Sequence, residues 1–305
     1  MKKFLLKTVS FALVTLLLLA AADIAYSKFV ENSSFYPCRS WYDVMHGTVN
    51  AEVVAMGNSR AQVQISPAVL DSALQVNTYN LGMDGSPANR QVLKYRLFRK
   101  YNTKPRLIIQ NIDYNTLTFE QGYLREQFMP FMWNPDFRRE AFGIEHFSFA
   151  EKYVPMLRYH GYGPNEFLGN PNVLYKGYRA QDKVWDGTAY LQTDSISFIV
   201  NDTTATLFEQ YLDEVQADGI KMVFVYAPIY IGATEKITNL QEMYSRYGAY
   251  AEKYGIPVLD YNYMDICYDT LYFYNAMHLN ARGAGIYSRR LAEDIKALGL
   301  LEDRQ

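Results

Sequence analysis

The chain reads as an α/β domain with a parallel sheet. Short apolar runs alternate with helical stretches along most of its length, and the polar residues that follow those runs gather at one set of strand ends. The runs predict five strands, at 52–56, 76–80, 106–112, 221–226 and 257–260. Helical patterns at 88–101, 204–218, 234–254 and 281–298 follow or precede them, as crossover connections in a parallel sheet require. In such a sheet functional groups collect at the carboxyl ends of the strands.

The N-terminus comes first in chain order. Lys2, Lys3 and Lys7 precede an apolar stretch that is broken only by Thr8, Ser10 and Thr15. This is the pattern of a secretory leader. Ala20, Ala21 and Ala22 offer a cleavage site, while the stretch 4–26 is long enough to span a bilayer uncleaved. Residues 1–30 are thus a signal peptide or a membrane anchor, and the basic end orients either version with the rest translocated, secreted or anchored outside the cytoplasm. Leucines and alanines cover every face of the segment, which speaks against a buried amphipathic helix.

Without Lys2, Lys3 and Lys7, 27 of the 30 basic side chains remain against 32 acidic ones, a net charge of −5. That balance argues against a nucleic-acid partner. Two cysteines, Cys38 and Cys267, are too few for a disulfide scaffold or a cysteine-rich metal site, and a single bridge between them stays open. The 49% hydrophobic composition supports one large domain over 31–305.

Strand 52–56 ends in Gly57-Asn58-Ser59-Arg60, a tight small-residue turn that can present a hydroxyl. Ser59 is either an ordinary helix N-cap or a nucleophile, and a nucleophile needs a histidine within hydrogen-bond reach. Of four histidines, His278 lies just before the last helix, in Asn275-Ala276-Met277-His278. Gly82 and Asp84 follow the second strand, and Asn111 and Asp113 end the third. The remaining histidines, His46, His146 and His160, form no metal-ligand spacing, and Gly82-x-x-Gly85 lacks the lysine of a phosphate loop, so neither a metal nor a cofactor is expected.

In this order the residues resemble the SGNH (GDSL-like) hydrolases, whose four blocks contribute a serine, a glycine, an asparagine and a histidine. Gly57-Asn58-Ser59 matches the serine turn, and Asn80-Leu81-Gly82-Met83 fits the glycine block. Ile109-Gln110-Asn111-Ile112 keeps only the asparagine of its block, with Asn115 as a rival. The resemblance implies a three-layer α/β/α, flavodoxin-like fold with a five-stranded parallel sheet. It implies catalysis by Ser59 and His278, with Ser59, Gly82 and Asn111 forming an oxyanion hole. The family's last block has an aspartate where this chain has Asn275. In a serine protease the corresponding Asp to Asn change lowers kcat by about 10⁴. Asp260, Asp265 or Asp269 is then expected to substitute, with Asp269 the favoured orienting acid.

Gly-Asn-Ser-Arg after a membrane segment is similar to the membrane-anchored members related to D-alanyl transfer proteins and polysaccharide O-acetyltransferases. That likeness implies an esterase or O-acyltransferase acting on acylated saccharides or cell-envelope glycans. A catalytically silent binding or assembly module is the alternative.

Residues 116–202 exceed what a minimal sheet needs and read as an insertion forming a lid or subdomain. The insertion is rich in aromatics, among them Phe128, Phe131, Trp133, Phe137, Tyr159, Tyr175, Tyr178 and Trp185. Arg125, Arg138, Arg139, Lys176, Arg179 and Lys183 punctuate it. A solvated face accounts for most of them, and one or two are candidates to meet phosphate or carboxylate. Spacing assigns no chemistry to Tyr175-Lys176-Gly177-Tyr178-Arg179.

Overall fold

The computed structural model describes residues 1–32, 38–118, 124–163, 174–188 and 195–302. Its strands are β1 (Val53–Met56), β2 (Thr78–Asn80), β3 (Leu107–Asn111), β4 (Lys221–Tyr226), β5 (Val258–Asp260), β6 (Phe273–Asn275) and β7 (His278–Leu279). Its α-helices are α1 (Lys2–Glu31), α2 (Cys38–Met45), α3 (Ser59–Gln64), α4 (Pro67–Leu74), α5 (Ala88–Tyr101), α6 (Pro135–Ile144), α7 (Phe149–Tyr153), α8 (Asp202–Ala217), α9 (Ile231–Thr234), α10 (Leu240–Tyr254) and α11 (Ala281–Ala297).

The chain divides into two compact units. Asp43–Glu120 with Leu174–Gln305 carries the sheet. Five parallel strands run in the order β2-β1-β3-β4-β5, in register at Val53↔Thr78, Val53↔Leu107, Leu107↔Lys221 and Phe224↔Val258. This is the doubly wound, flavodoxin-like order. Alternation along the strands divides the core into two layers. Val53, Ala55, Leu107, Ile109, Val223 and Val225 face a cluster with Tyr287, Leu291 and Ile295 of α11, which packs beside α3 and α4. Phe224 on the other face meets Phe208 of α8 at 6.2 Å and Tyr247 of α10 at 6.4 Å between ring centroids.

Two predicted elements are shorter than expected by more than one residue at an end, each for a local reason. The second strand begins at Thr78 because Gln75, at φ +56°, caps α4 in the left-handed region and turns the chain. The helix predicted over 234–254 is interrupted between α9 and α10. There the Lys236 carbonyl and the Thr238 N–H bond the backbone of Ile196, which withdraws them from a helical ladder.

Met1–Tyr42 with Gln121–Val173 forms the other unit. Its α1 is 30 residues long, with a most apolar window of mean hydropathy 2.2 in which no residue is buried, long and apolar enough to cross a membrane. The last turns of α1 are different. Asp23 is fully buried and accepts from Arg158, from Trp133 Nε1 at 2.9 Å, from Ser27 Oγ at 3.1 Å and from the Met156 N–H at 2.6 Å. Part of the aromatic insertion therefore grips the end of the apolar helix. Phe128, Phe131 and Phe137 pack with Trp41 in the same unit, the Trp41 ring lying 5.6 Å from Phe128 and 5.3 Å from Phe137. Both cysteines are buried free thiols.

Candidate active site

β1 is followed by Gly57, whose φ of +145° belongs to the range that favours glycine. A Cβ there would lie 2.8 Å from Asn111 Cβ and 2.9 Å from Ala61 Cβ. This close approach turns the chain from β1 directly into α3. Asn58 caps that helix, its Oδ1 accepting the Arg60 N–H at 3.0 Å. The cap role weighed for Ser59 thus belongs to Asn58. Ser59 is the first helical residue, half-buried, and its N–H sits at the helix end where no intrahelical acceptor exists.

The turn is braced from beneath. Asn58 Nδ2 donates to Asp113 Oδ2 at 2.6 Å and to Asn115 Oδ1 at 2.8 Å. The Arg60 guanidinium pairs with the Asp113 carboxylate, with side-chain exposures of 4% and 1%, and reaches the Ala227 carbonyl at 3.2 Å. A buried pair of this kind gives orientation more than net stability, because desolvation offsets much of the attraction.

His278 comes from the other end of the chain, 219 residues away, and its Nε2 lies 2.8 Å from Ser59 Oγ. It belongs to a small antiparallel hairpin that was absent from the sequence reading, with β6 and β7 paired at Asn275↔His278. Asn275 Oδ1 accepts the Met277 N–H at 2.9 Å and lies 3.0 Å from His278 Nδ1. These two contacts settle the chemistry of the neutral amide. Because the Met277 N–H can only donate, the atom facing the imidazole is the oxygen, and an oxygen there requires Nδ1 to carry the proton. Nε2 is then unprotonated and accepts from the Ser59 hydroxyl, which is the tautomer a general base needs.

The ring is held neutral. Burial first, and then the nearby Arg60 and Arg179 guanidiniums, lower the His278 pKa from 6.5 to about 3. Tyr274 stacks on the ring at 5.3 Å and 18°, and burial pushes its phenol up to about 12.

The other expected residues fall out as follows. Asp269 does not orient the imidazole, because its carboxylate caps a 3-10 turn and accepts the Leu271 N–H at 2.9 Å, while Asn275 already occupies Nδ1. Asp260 accepts the Asn262 N–H at 2.9 Å. Gly82 does not present an open oxyanion donor, since its N–H is taken by Asn80 Oδ1 at 2.8 Å. Asn111 is fully buried at the end of β3, with Oδ1 accepting the Ala227 N–H at 3.3 Å and Nδ2 donating to Asn58 Oδ1 at 3.2 Å. One Nδ2 proton is not used in these bonds. Its rival Asn115 supports Asn58 instead.

Sequence reasoning missed the bracing roles of Asn58 and Asp113 and the stacking of Tyr274. The signal for the first was the capping residue directly before the serine. Tyr274, four residues from His278, gave none. Among the described residues no three His, Cys, Asp or Glu side chains cluster as a metal site.

No family model and no curated protein matches the chain. The chain is similar to several solved structures. One is a GDSL-like lipase from Bacteroides thetaiotaomicron, at 14% identity and TM-score 0.40, covering 87% of this chain and 98% of that one. A second is a candidate acylhydrolase from Bacteroides fragilis, at 14% identity and TM-score 0.42, covering 81% and 86%. A third is a candidate lipolytic protein of the G-D-S-L family from Desulfitobacterium hafniense, at 14% identity and TM-score 0.42, covering 79% and 97%. Its structural neighbours are GDSL-like lipases and acylhydrolases. Identities this low and superpositions this loose leave the functional reading to rest on the site itself.

Proposed function

We propose that this protein is an SGNH-type serine esterase or O-acyltransferase. The observation that carries the reading is the relay Ser59 Oγ to His278 Nε2 at 2.8 Å and His278 Nδ1 to Asn275 Oδ1 at 3.0 Å, in one fixed tautomer. Ser59 Oγ attacks an ester carbonyl while its proton passes to Nε2. The tetrahedral intermediate then collapses, expelling the alcohol, which takes the proton from His278. Water or a second alcohol, deprotonated by the same nitrogen, then attacks the acyl carbonyl, and the proton passes from Nε2 to the departing Ser59 Oγ as the acyl group is released. The Ser59 N–H and the second Nδ2 proton of Asn111 are the oxyanion donors this reading assigns, each typically worth about 10²–10³ in rate.

The site works outside the cytoplasm on an acylated saccharide or envelope glycan, held to the membrane by an uncleaved α1 with Lys2, Lys3 and Lys7 on the cytoplasmic side. Support for retention of α1 comes from Asp23. Cleavage after Ala22 would leave this buried, four-times-bonded carboxylate as the chain terminus.

Asn275 and the depressed His278 pKa also support a second reading, a silent assembly module that keeps the fold without the chemistry. A fluorophosphonate probe separates the two. The esterase reading predicts labelling of the wild type that is absent in Ser59→Ala and His278→Ala, whereas the silent module predicts no labelling of any form.

A further inference from the structure

Tyr175-Lys176-Gly177-Tyr178-Arg179, which spacing left without a role, is a built element. Tyr175 and Tyr178 exchange both backbone hydrogen bonds, at 3.0 and 2.9 Å, around Lys176 and Gly177, whose φ values are +46° and +79°. Positive φ at both central positions is the signature of a two-residue hairpin turn. The turn is sewn to the sheet edge. The Lys176 carbonyl accepts the Asn80 N–H at 2.8 Å, Lys176 Nζ lies 2.6 Å from Asp71, and a Cβ on Gly177 would sit 1.8 Å from the Asn80 carbonyl oxygen. The next residue, Arg179, donates its N–H to the Gln62 carbonyl of α3 at 3.1 Å, one turn beyond the nucleophile.

The hairpin therefore delivers one guanidinium to the site. Arg179 acts electrostatically on Tyr274, the ring of which stacks on His278, and on His278 itself, and lies 3.3 Å from Asp84 Oδ2. The arginine side chain is 11% exposed and Asp84 is 29% exposed. Neither imidazole nitrogen touches a carboxylate, Nδ1 meeting an amide and Nε2 a hydroxyl. The relay thus lacks the negative charge that would stabilise an imidazolium, while a cation stands beside it.

We propose that Arg179 is the specificity residue of this site and that the preferred substrate is an ester bearing an anionic group, such as a carboxylate, on its acyl or alcohol part. This deepens the esterase reading above and rests on it. The substrate anion takes the exposed edge of the Arg179 guanidinium beside Asp84. It also brings to the imidazolium the countercharge that Asn275 cannot supply. Recognition and proton transfer are then coupled, so an anionic ester gains in the transition state and not only on binding.

The test compares esters matched except for charge: 4-nitrophenyl hemisuccinate against 4-nitrophenyl butyrate for the acyl side, and 4-acetoxybenzoate against phenyl acetate for the alcohol side. In the full-length detergent-solubilised wild type, kcat/KM favours the anionic member of at least one pair by about 10-fold or more, the scale of a charge-assisted hydrogen bond. Arg179→Gln collapses that ratio towards unity and Arg179→Lys leaves an intermediate one. Asp84→Asn, which frees the guanidinium of its internal anion, raises the ratio.

The acid limb of the kcat profile supplies a readout that a structural role would not move. It lies at higher pH for the anionic ester, because a bound anion favours the imidazolium and general-base catalysis needs the neutral ring. Equal kcat/KM for both members of both pairs in the wild type overturns the proposal whatever the variants do. So does a ratio unaltered by Arg179→Gln. Loss of all ester turnover together with loss of fluorophosphonate labelling would instead overturn the esterase reading beneath it.

Discussion

Replacing Asn275 by aspartate perturbs the relay at one atom and leaves its geometry in place. Both acceptor contacts of Oδ1, to the Met277 N–H at 2.9 Å and to His278 Nδ1 at 3.0 Å, are available to a carboxylate. What changes is charge. An anion this close to the ring raises a histidine pKa by about 1–3 units, each worth about 1.4 kcal/mol. That moves His278 upward from its value of about 3 and makes it a stronger base while still mostly neutral at pH 7.

The gain is smaller than the factor of about 10⁴ seen between Asp and Asn in a serine protease, because much of that loss reflects a wrong tautomer. Here the Met277 N–H has already fixed the tautomer. Asn275→Asp is therefore expected to raise kcat/KM for 4-nitrophenyl acetate at pH 7 by roughly 10- to 100-fold. Asn275→Leu, which removes the acceptor, is expected to lower it by about 10²-fold or more. An aspartate variant no faster than wild type, or a leucine variant within a few-fold of it, would refute the argument that the amide oxygen orients the imidazole.

Four further outcomes follow from the same contacts. Asp113→Asn, which leaves Arg60 buried without its carboxylate, is expected to cost about 3–5 kcal/mol in a denaturant titration and to lower esterase activity with it. Gly57→Ala is expected to reduce thermal stability and activity together, since its Cβ would meet Asn111 and Ala61 within 3 Å at a backbone angle alanine rarely adopts. Because the folded pKa of His278 lies below its ordinary value, the unfolded chain binds more protons between pH 6.5 and about 3. Stability is then lost as pH falls through that window, and His278→Gln is expected to flatten the melting temperature across it. Finally, intact mass of the protein recovered from membranes is expected to include residues 1–22, whereas an N-terminus at Asp23 would contradict the retained anchor.

The parallel sheet was legible because all five strands are short apolar runs closed by turn residues, and α5 and α11 begin where their patterns begin. Ser59 and His278 were legible for a related reason: each stands where a strand or hairpin hands over to a helix. Asn275 was legible as a departure but not in its consequence. Whether an amide shows its oxygen or its nitrogen depends on a backbone N–H two residues away, and the pattern of letters does not state that turn. Gly82 misled because a glycine after a strand serves either as an open donor or as a turn closed by its own Asn80, and the side chain of Asn80 decided it. Asp269 misled because proximity in sequence to His278 does not compete with an N–H two residues ahead of it. Arg179 was legible only as one of six basic residues offered for phosphate or carboxylate, and what distinguishes it, a hairpin turn bonded to Asn80 of β2 nearly one hundred residues away, is not written in the letters.

Every step of the proposed reaction requires that Ser59 become acylated. The most direct measurement is acid quenching of the wild type during turnover of 4-nitrophenyl acetate, followed by peptide mass analysis. A 4-nitrophenol burst stoichiometric with enzyme and an acetyl group on the peptide bearing Ser59 are expected, both absent in Ser59→Ala. Turnover that persists in Ser59→Ala, or an acetyl group found only on other residues, would contradict that acylation.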